Sequence, residues 1–278
     1  MIQPLPDYKN LDASGEARQA ALRMEARARE AASVQMFEQL VAPLLDGNVR
    51  RVLEIGCGTA ALSRRIAQRQ PHAHVYAADK SAGMLQMAQE LIAEERLGNI
   101  QLTHWDVLGE PTPPFADAPF DLIISSVVIP YFTDEQIVAL VRRWAHWLAP
   151  GGVLAFVEQD LHTDSLHFPN WSLPRDILAK HQRDIRPGWC LGLRPLLRNA
   201  GLSLLPRRSF LWTDEAYGAY TQDLLGRLAD AARDKGVITP QQWAEWKDGL
   251  DKLAAAGDFY YGLVYHLIAG RRARHALE

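Results

Sequence analysis

The sequence predicts an open α/β fold: a doubly wound, mostly parallel seven-stranded sheet with an antiparallel last strand. Three observations predict it. Between residues 51 and 158, short apolar runs alternate with longer stretches of helical periodicity, the pattern of βα units that bury a parallel sheet between helices. The run Val52–Ile55 passes directly into Gly56-Cys57-Gly58, a strand entering a tight turn before a helix. The last third then breaks the rhythm, with two strand-like segments separated by a long helical stretch.

Each element follows in order. Residues 14–45 are rich in Ala, Arg and Glu, with Leu22, Met36, Phe37, Leu40, Val41 and Leu44 at helical spacing. They predict one long helix or two, ended by Asp46-Gly47-Asn48. Strands are predicted at Arg51–Ile55, His74–Asp79, Ile100–Trp105, Asp121–Ser126 and Val153–Glu158. Helices fall at Ala60–Arg69, at Ser81–Glu95 with Ser81 as its cap, and at Asp134–Leu148. Residues 160–174 read as a loop, and Leu193–Asn199 as a helix stopped by Gly201. Leu202–Leu211 and Phe259–Ile268 read as the last two strands. Three parts result: an N-terminal helical cap (1–48), a core (49–213 and 257–272), and a helical lid insertion (214–256).

Composition narrows the function classes. A net charge of −3 over 278 residues argues against a nucleic-acid partner. Two cysteines, Cys57 and Cys190, provide neither a disulfide framework nor metal-ligand spacing. No leader pattern or membrane-spanning apolar stretch is visible, so the expected location is cytoplasmic. A homodimer is among the assembly states that stay open.

Gly56-x-Gly58-x-x-Ala61, with Asp79 about twenty residues on, satisfies the glycine fingerprint of dinucleotide sites. Glu54 separates two readings. A turn that holds pyrophosphate has no use for a carboxylate there, whereas a turn that holds an ammonium group does. Trp105-Asp106-Val107 follows the third strand, and Leu148-Ala149-Pro150-Gly151-Gly152-Val153-Leu154 turns into the fifth. On these residues, from about 52 to 158, the chain resembles the class I S-adenosylmethionine-dependent methyltransferases, with their Rossmann-like fold. It is most similar to a small-molecule branch, that of ubiquinone/menaquinone-type C-methyltransferases and natural-product tailoring enzymes.

The resemblance implies S-adenosylmethionine as cofactor and S-adenosylhomocysteine as product. It implies that Glu54, Gly56, Cys57 and Gly58 form the methionine end of the site. Asp79 would take the ribose hydroxyls, flanked by Lys80 and Met84. Asp106 with Val107 would take the adenine, and Ser125 and Ser126 would approach the amino acid end. The expected reaction is in-line methyl transfer to a small acceptor, aromatic or hydrophobic because Trp and Tyr concentrate in the final third. No acidic cluster suggests a catechol-type Mg²⁺ site, so metal-independent chemistry is expected. Tyr131, Glu158 and His162 are the candidate catalytic residues. Tyr8 and Arg27 could close over the cofactor from the N-terminal segment. Two alternatives stay open: a protein of this fold that uses the nucleoside for other chemistry, and a nicotinamide-dependent oxidoreductase.

Overall fold

A computed structural model describes residues 10–110, 115, 119–182 and 188–274. Tyr8 lies outside the described residues. The chain runs α1 (Leu11–Ser14), α2 (Ala17–Arg29), α3 (Ala31–Met36), β1 (Arg51–Ile55), α4 (Ala61–Arg69), β2 (His74–Asp79), α5 (Ala82–Glu94), β3 (Ile100–His104), β4 (Phe120–Ser126), α6 (Asp134–His146) and β5 (Leu148–Leu166). It continues through α7 (Ser172–Gln182), α8 (Leu193–Asn199), β6 (Ser203–Leu204), β7 (Arg208–Asp214), α9 (Ala219–Asp234), α10 (Pro240–Ala256) and β8 (Tyr261–Arg271).

The strands form one eight-stranded sheet in the order β3-β2-β1-β4-β5-β8-β6, with β7 also paired to β8. β1 to β5 are mutually parallel, and β8 is antiparallel to β5, β6 and β7. Strand order reverses between β1 and β4, so a crevice opens beyond their carboxyl ends, where open α/β sheets bind ligands. Val52, Leu122, Val153 and Val157 face one buried layer. Leu53, Ile123, Leu154 and Phe156 face the other. Alternate residues thus fill two separate cores, one on each face of the sheet.

Two segments differ most from the sequence reading. The segment read as one strand at 202–211 is two, β6 and β7, which makes eight strands in place of seven. Pro206 lies between them and has no N–H for the ladder. β5 runs to Leu166 instead of stopping at Glu158, because its polar end pairs with β8 as far as Leu166↔Tyr261. A register shift between Asp160 and Ser165 interrupts that pairing, and there Val264 N–H donates to Thr163 Oγ1 at 2.9 Å. The N-terminal helical stretch is the two-helix alternative, broken at Glu30, whose backbone is extended (ψ 139°).

The N-terminal helices are fastened over the crevice. Asp12 accepts from Ser81 Oγ (2.7 Å) and from the backbone N–H groups of Ala82 (2.7 Å) and Gly83 (3.1 Å), capping the start of α5. Glu25 takes Arg64 of α4 through both oxygens at 2.7 Å, and this pair is buried. The other side is covered by α9, whose entry is held by Asp214 accepting from the N–H of Ala216 and of Gly218, each at 2.8 Å.

Candidate functional site

The crevice is a cleft of about 790 Å³ bounded by α2, the turn after β1, the ends of β2, β3 and β4, and α9. Its size falls in the range of small-molecule sites. The turn after β1 requires glycine. Gly56 (φ +72°) and Gly58 (φ +54°) occupy the left-handed region, and a Cβ on either would collide, with Val128 and Met24 respectively. Replacing Gly56 by alanine is therefore expected to cost about 1–3 kcal/mol. Thermal unfolding of Gly56→Ala checks this, and an unchanged Tm would count against it.

Asp79, at the end of β2, binds this turn. One oxygen accepts from Gly58 N–H at 2.8 Å and the other from Ser81 N–H at 2.9 Å. A carboxylate has about four acceptor positions, so beside the backbone donors Gly58, Ser81 and Lys80, Asp79 keeps acceptor capacity for the cleft it lines. Burial raises its pKa, opposed by the backbone N–H groups of Ser81, Gly58 and Lys80. Asp106 lies at the end of β3, with one oxygen accepting from Leu108 N–H at 2.9 Å, and it too faces the cleft.

Glu54 sits beneath the turn and off the cleft wall. Its Oε2 accepts from Ser63 N–H at 2.9 Å and Ser63 Oγ at 2.5 Å. Burial pushes its pKa up to about 8, with Ser63 pulling the other way. Ser63 is in the first turn of α4, so Glu54 occupies an N–H that a helix N-terminus would otherwise offer to pyrophosphate.

The remaining residues divide similarly. Lys80, Met84, Val107, Ser126 and Tyr131 line the cleft. Cys57 points away from it into a small core with Ala60, Ala77, Ala88 and Ile92, and burial raises its thiol well above the ordinary range. Ser125 is wholly buried, and its hydroxyl has no partner among the described residues.

Two catalytic candidates need correction. Glu158 is fully buried and does not reach the cleft. It lies under residues 127–129, whose N–H groups lower its pKa, but burial outweighs them and holds it well above the carboxylate range. Neither carboxylate oxygen makes a hydrogen bond of ordinary geometry among the described residues. Above it, Val127 adopts φ +55°, a strained conformation for a β-branched residue. Glu158 is thus placed to support the turn that shapes the cleft floor, and Gln159 next to it lines the cleft. His162 lies on the extended β5, not in a loop, with its N–H 3.4 Å from Asp160 Oδ1, and is not part of the cleft wall.

Aromatic residues of the final third are mostly core. Trp212, Trp246 and Tyr261 are fully buried, and Trp171 is exposed, whereas Tyr220 reaches the cleft. Sequence reading missed Arg23, Gln159 and Arg227, which line it as well. The spacing of Arg23 and Arg27 on α2, and of Tyr220, Leu224 and Arg227 on α9, places each set on one helix face. That spacing was the available signal, and only packing says which face turns inward.

A family model for a methyltransferase domain matches residues 52–152. Trans-aconitate 2-methyltransferase of Pseudomonas paraeruginosa is 30% identical over 121 residues, covering 44% of this chain and 36% of that protein. Malonyl-[acyl-carrier protein] O-methyltransferase of Priestia megaterium is 27% identical over 139 residues, 48% of this chain and 47% of that protein. The chain thus spans less than half the length of these two curated relatives. Among solved structures, the [4+2]-cyclase SpnF superposes with a TM-score of 0.57 at 18% identity, covering 98% of both chains. Phosphoethanolamine N-methyltransferase 2 of Haemonchus contortus superposes with a TM-score of 0.56 at 15% identity, over 97% of this chain and 61% of that one. At such identities these two structures establish the fold. The domain match ties residues 52–152, which hold the turn after β1, to methyltransferase domains.

Proposed function

We propose that this chain transfers a methyl group from S-adenosylmethionine to a small organic acceptor. The observation that carries the reading is Asp79, a carboxylate anchored to the glycine turn that lines the cleft at the end of β2, where it can accept from a vicinal diol. The other residues fit the same nucleoside. Met84, Val107 and Leu108 offer apolar surface for adenine, and Asp106 an acceptor for its amino group. Arg23, beside the Met24 that packs on Gly58, is suited to the methionine carboxylate.

S-adenosylmethionine supplies an electrophilic methyl: the acceptor's lone pair bonds to that carbon as the C–S pair returns to sulfur, leaving a neutral thioether. The chain's part is alignment and exclusion of water. Val128 and Tyr131 bound the floor, and Leu161, Tyr220 and Leu224 give apolar contact, which supports an aromatic or hydrophobic acceptor body. Tyr131 is the candidate to position the acceptor. Glu54 on Ser63 supports this reading over a nicotinamide one, because pyrophosphate would compete for the same helix start.

Calorimetry with S-adenosylmethionine, S-adenosylhomocysteine and NADPH tests the cofactor, and mass spectrometry of a metabolite extract incubated with enzyme and cofactor tests the transfer. Binding of the first two with a product heavier by one methylene supports the proposal. Failure to bind either nucleoside overturns it, and binding without methylated product assigns the fold to other chemistry.

A further inference from the structure

Glu158 is wholly buried and takes no part in the proposed chemistry, yet its neighbour Gln159 lines the cleft. What faces its carboxyl is the backbone N–H of Val127, Val128 and Ile129, not a cation. Neither oxygen has another hydrogen-bond partner among the described residues. Burying an acid on these terms is costly. A second cost lies in the same turn, where Val127 holds φ +55°. Strain of that kind persists only where the surroundings enforce it, and it clusters at ligand sites. Two unfavourable features thus meet at one point of the cleft floor.

The turn itself is closed on both sides. Val127 N–H donates to Val157 O at 3.0 Å, and Tyr131 and Phe132 N–H donate to the carbonyls of Val128 and Ile129 at 3.2 and 3.0 Å. Ile129 is fixed in the core, while Val128 lines the cleft and stands against Gly56, where it would collide with any Cβ. Val128 therefore sets how closely the segment after β4 approaches the glycine turn. Strand order decides which part of the cofactor lies there. With adenine at Asp106 after β3 and ribose at Asp79 after β2, the rest of the molecule runs on over β1 and β4. Gly56 and Val128 follow those two strands, so they meet the amino-acid end.

Resting on the methyl-transfer reading, we infer that Glu158 is a positioning residue for the amino-acid end of S-adenosylmethionine, acting through residues 127–129 and the seat of Val128 on Gly56. The test measures Kd of the full chain for S-adenosylhomocysteine and for 5′-methylthioadenosine, which keeps the nucleoside and sulfur but lacks the amino acid. Glu158→Leu fills the space without an acceptor. It should weaken S-adenosylhomocysteine about 10-fold or more and leave 5′-methylthioadenosine within about 2-fold. Glu158→Gln keeps an oxygen for the same N–H groups and should retain both affinities. Val128→Ala removes the contact on Gly56, leaves Glu158 in place and should shift the ratio of the two affinities in the same direction as Glu158→Leu. Wild-type affinity for S-adenosylhomocysteine in Glu158→Leu, parallel loss of both ligands in that variant while folded, or a wild-type ratio in Val128→Ala would overturn the inference and leave methyl transfer standing. A wild-type chain that binds neither nucleoside would remove both.

Discussion

Asp79→Ala is expected to weaken S-adenosylhomocysteine binding by about 10-fold or more. The substitution removes the acceptors proposed for both ribose hydroxyls, and hydrogen bonds to a charged group contribute about 1.5–3 kcal/mol. It also strands Gly58 N–H and Ser81 N–H, the two donors that hold the turn against the end of β2. Leaving such donors unpaired costs about 1–3 kcal/mol each where water cannot reach them, so the variant should also unfold at lower temperature. Asp79→Asn separates the effects, since its amide oxygen can keep one backbone donor while the negative charge is gone. It should recover much of the stability and little of the affinity. Calorimetry and thermal unfolding on the same samples read both, and an Asp79→Ala protein with wild-type affinity would remove the central support for the cofactor site.

Glu54→Gln is expected to flatten the dependence of stability on pH. Glu54 is buried, and its pKa is raised to about 8 in the folded chain, mainly by burial. A carboxyl group whose folded pKa lies above its unfolded value binds more protons folded than unfolded. Its contribution is therefore full below about pH 4.5, the unfolded value, and is lost as pH rises to about 8. The loss is on the order of a few kcal/mol across that window. Asp79, raised as well, acts in the same direction. His266, whose pKa is lowered chiefly by burial, gains stability with rising pH and acts oppositely. The difference between wild type and Glu54→Gln in urea unfolding isolates the Glu54 part. Glutamine keeps an oxygen for Ser63 and cannot ionise, so its stability should exceed that of wild type near pH 8 and approach it near pH 5. Parallel curves for the two proteins would show that Glu54 does not titrate in this range.

Both predictions concern acids that a linear reading treats alike. Glu54 and Asp79 each stand near a strand end, next to the glycine turn, and the sequence pattern brings both into the site. Their environments separate them: Asp79 is open to the cleft, whereas Glu54 is closed in beneath the turn. Glu158 and Gln159 make the same point on β5, where successive side chains leave the strand on opposite faces. Glu158 goes under the strained Val127 turn and Gln159 into the cleft.

What the sequence alone determined was the order of βα units, the glycine turn and the placing of Asp79 and Asp106 at the ends of their strands. These depend on local periodicity and on backbone angles that glycine adopts freely, so they can be read within a few residues. The tertiary structure decided the rest. Polar residues at the end of β5 become strand because β8, a hundred residues away, supplies partners for them. Most final-third aromatics went to the core, because burying their large surfaces against the sheet is favourable. Arg23, Arg27 and Arg227 came to face one cavity because α2 and α9 pack side by side over the crevice. Which face of a helix turns inward is set by what it packs against, and that information lies in other parts of the chain.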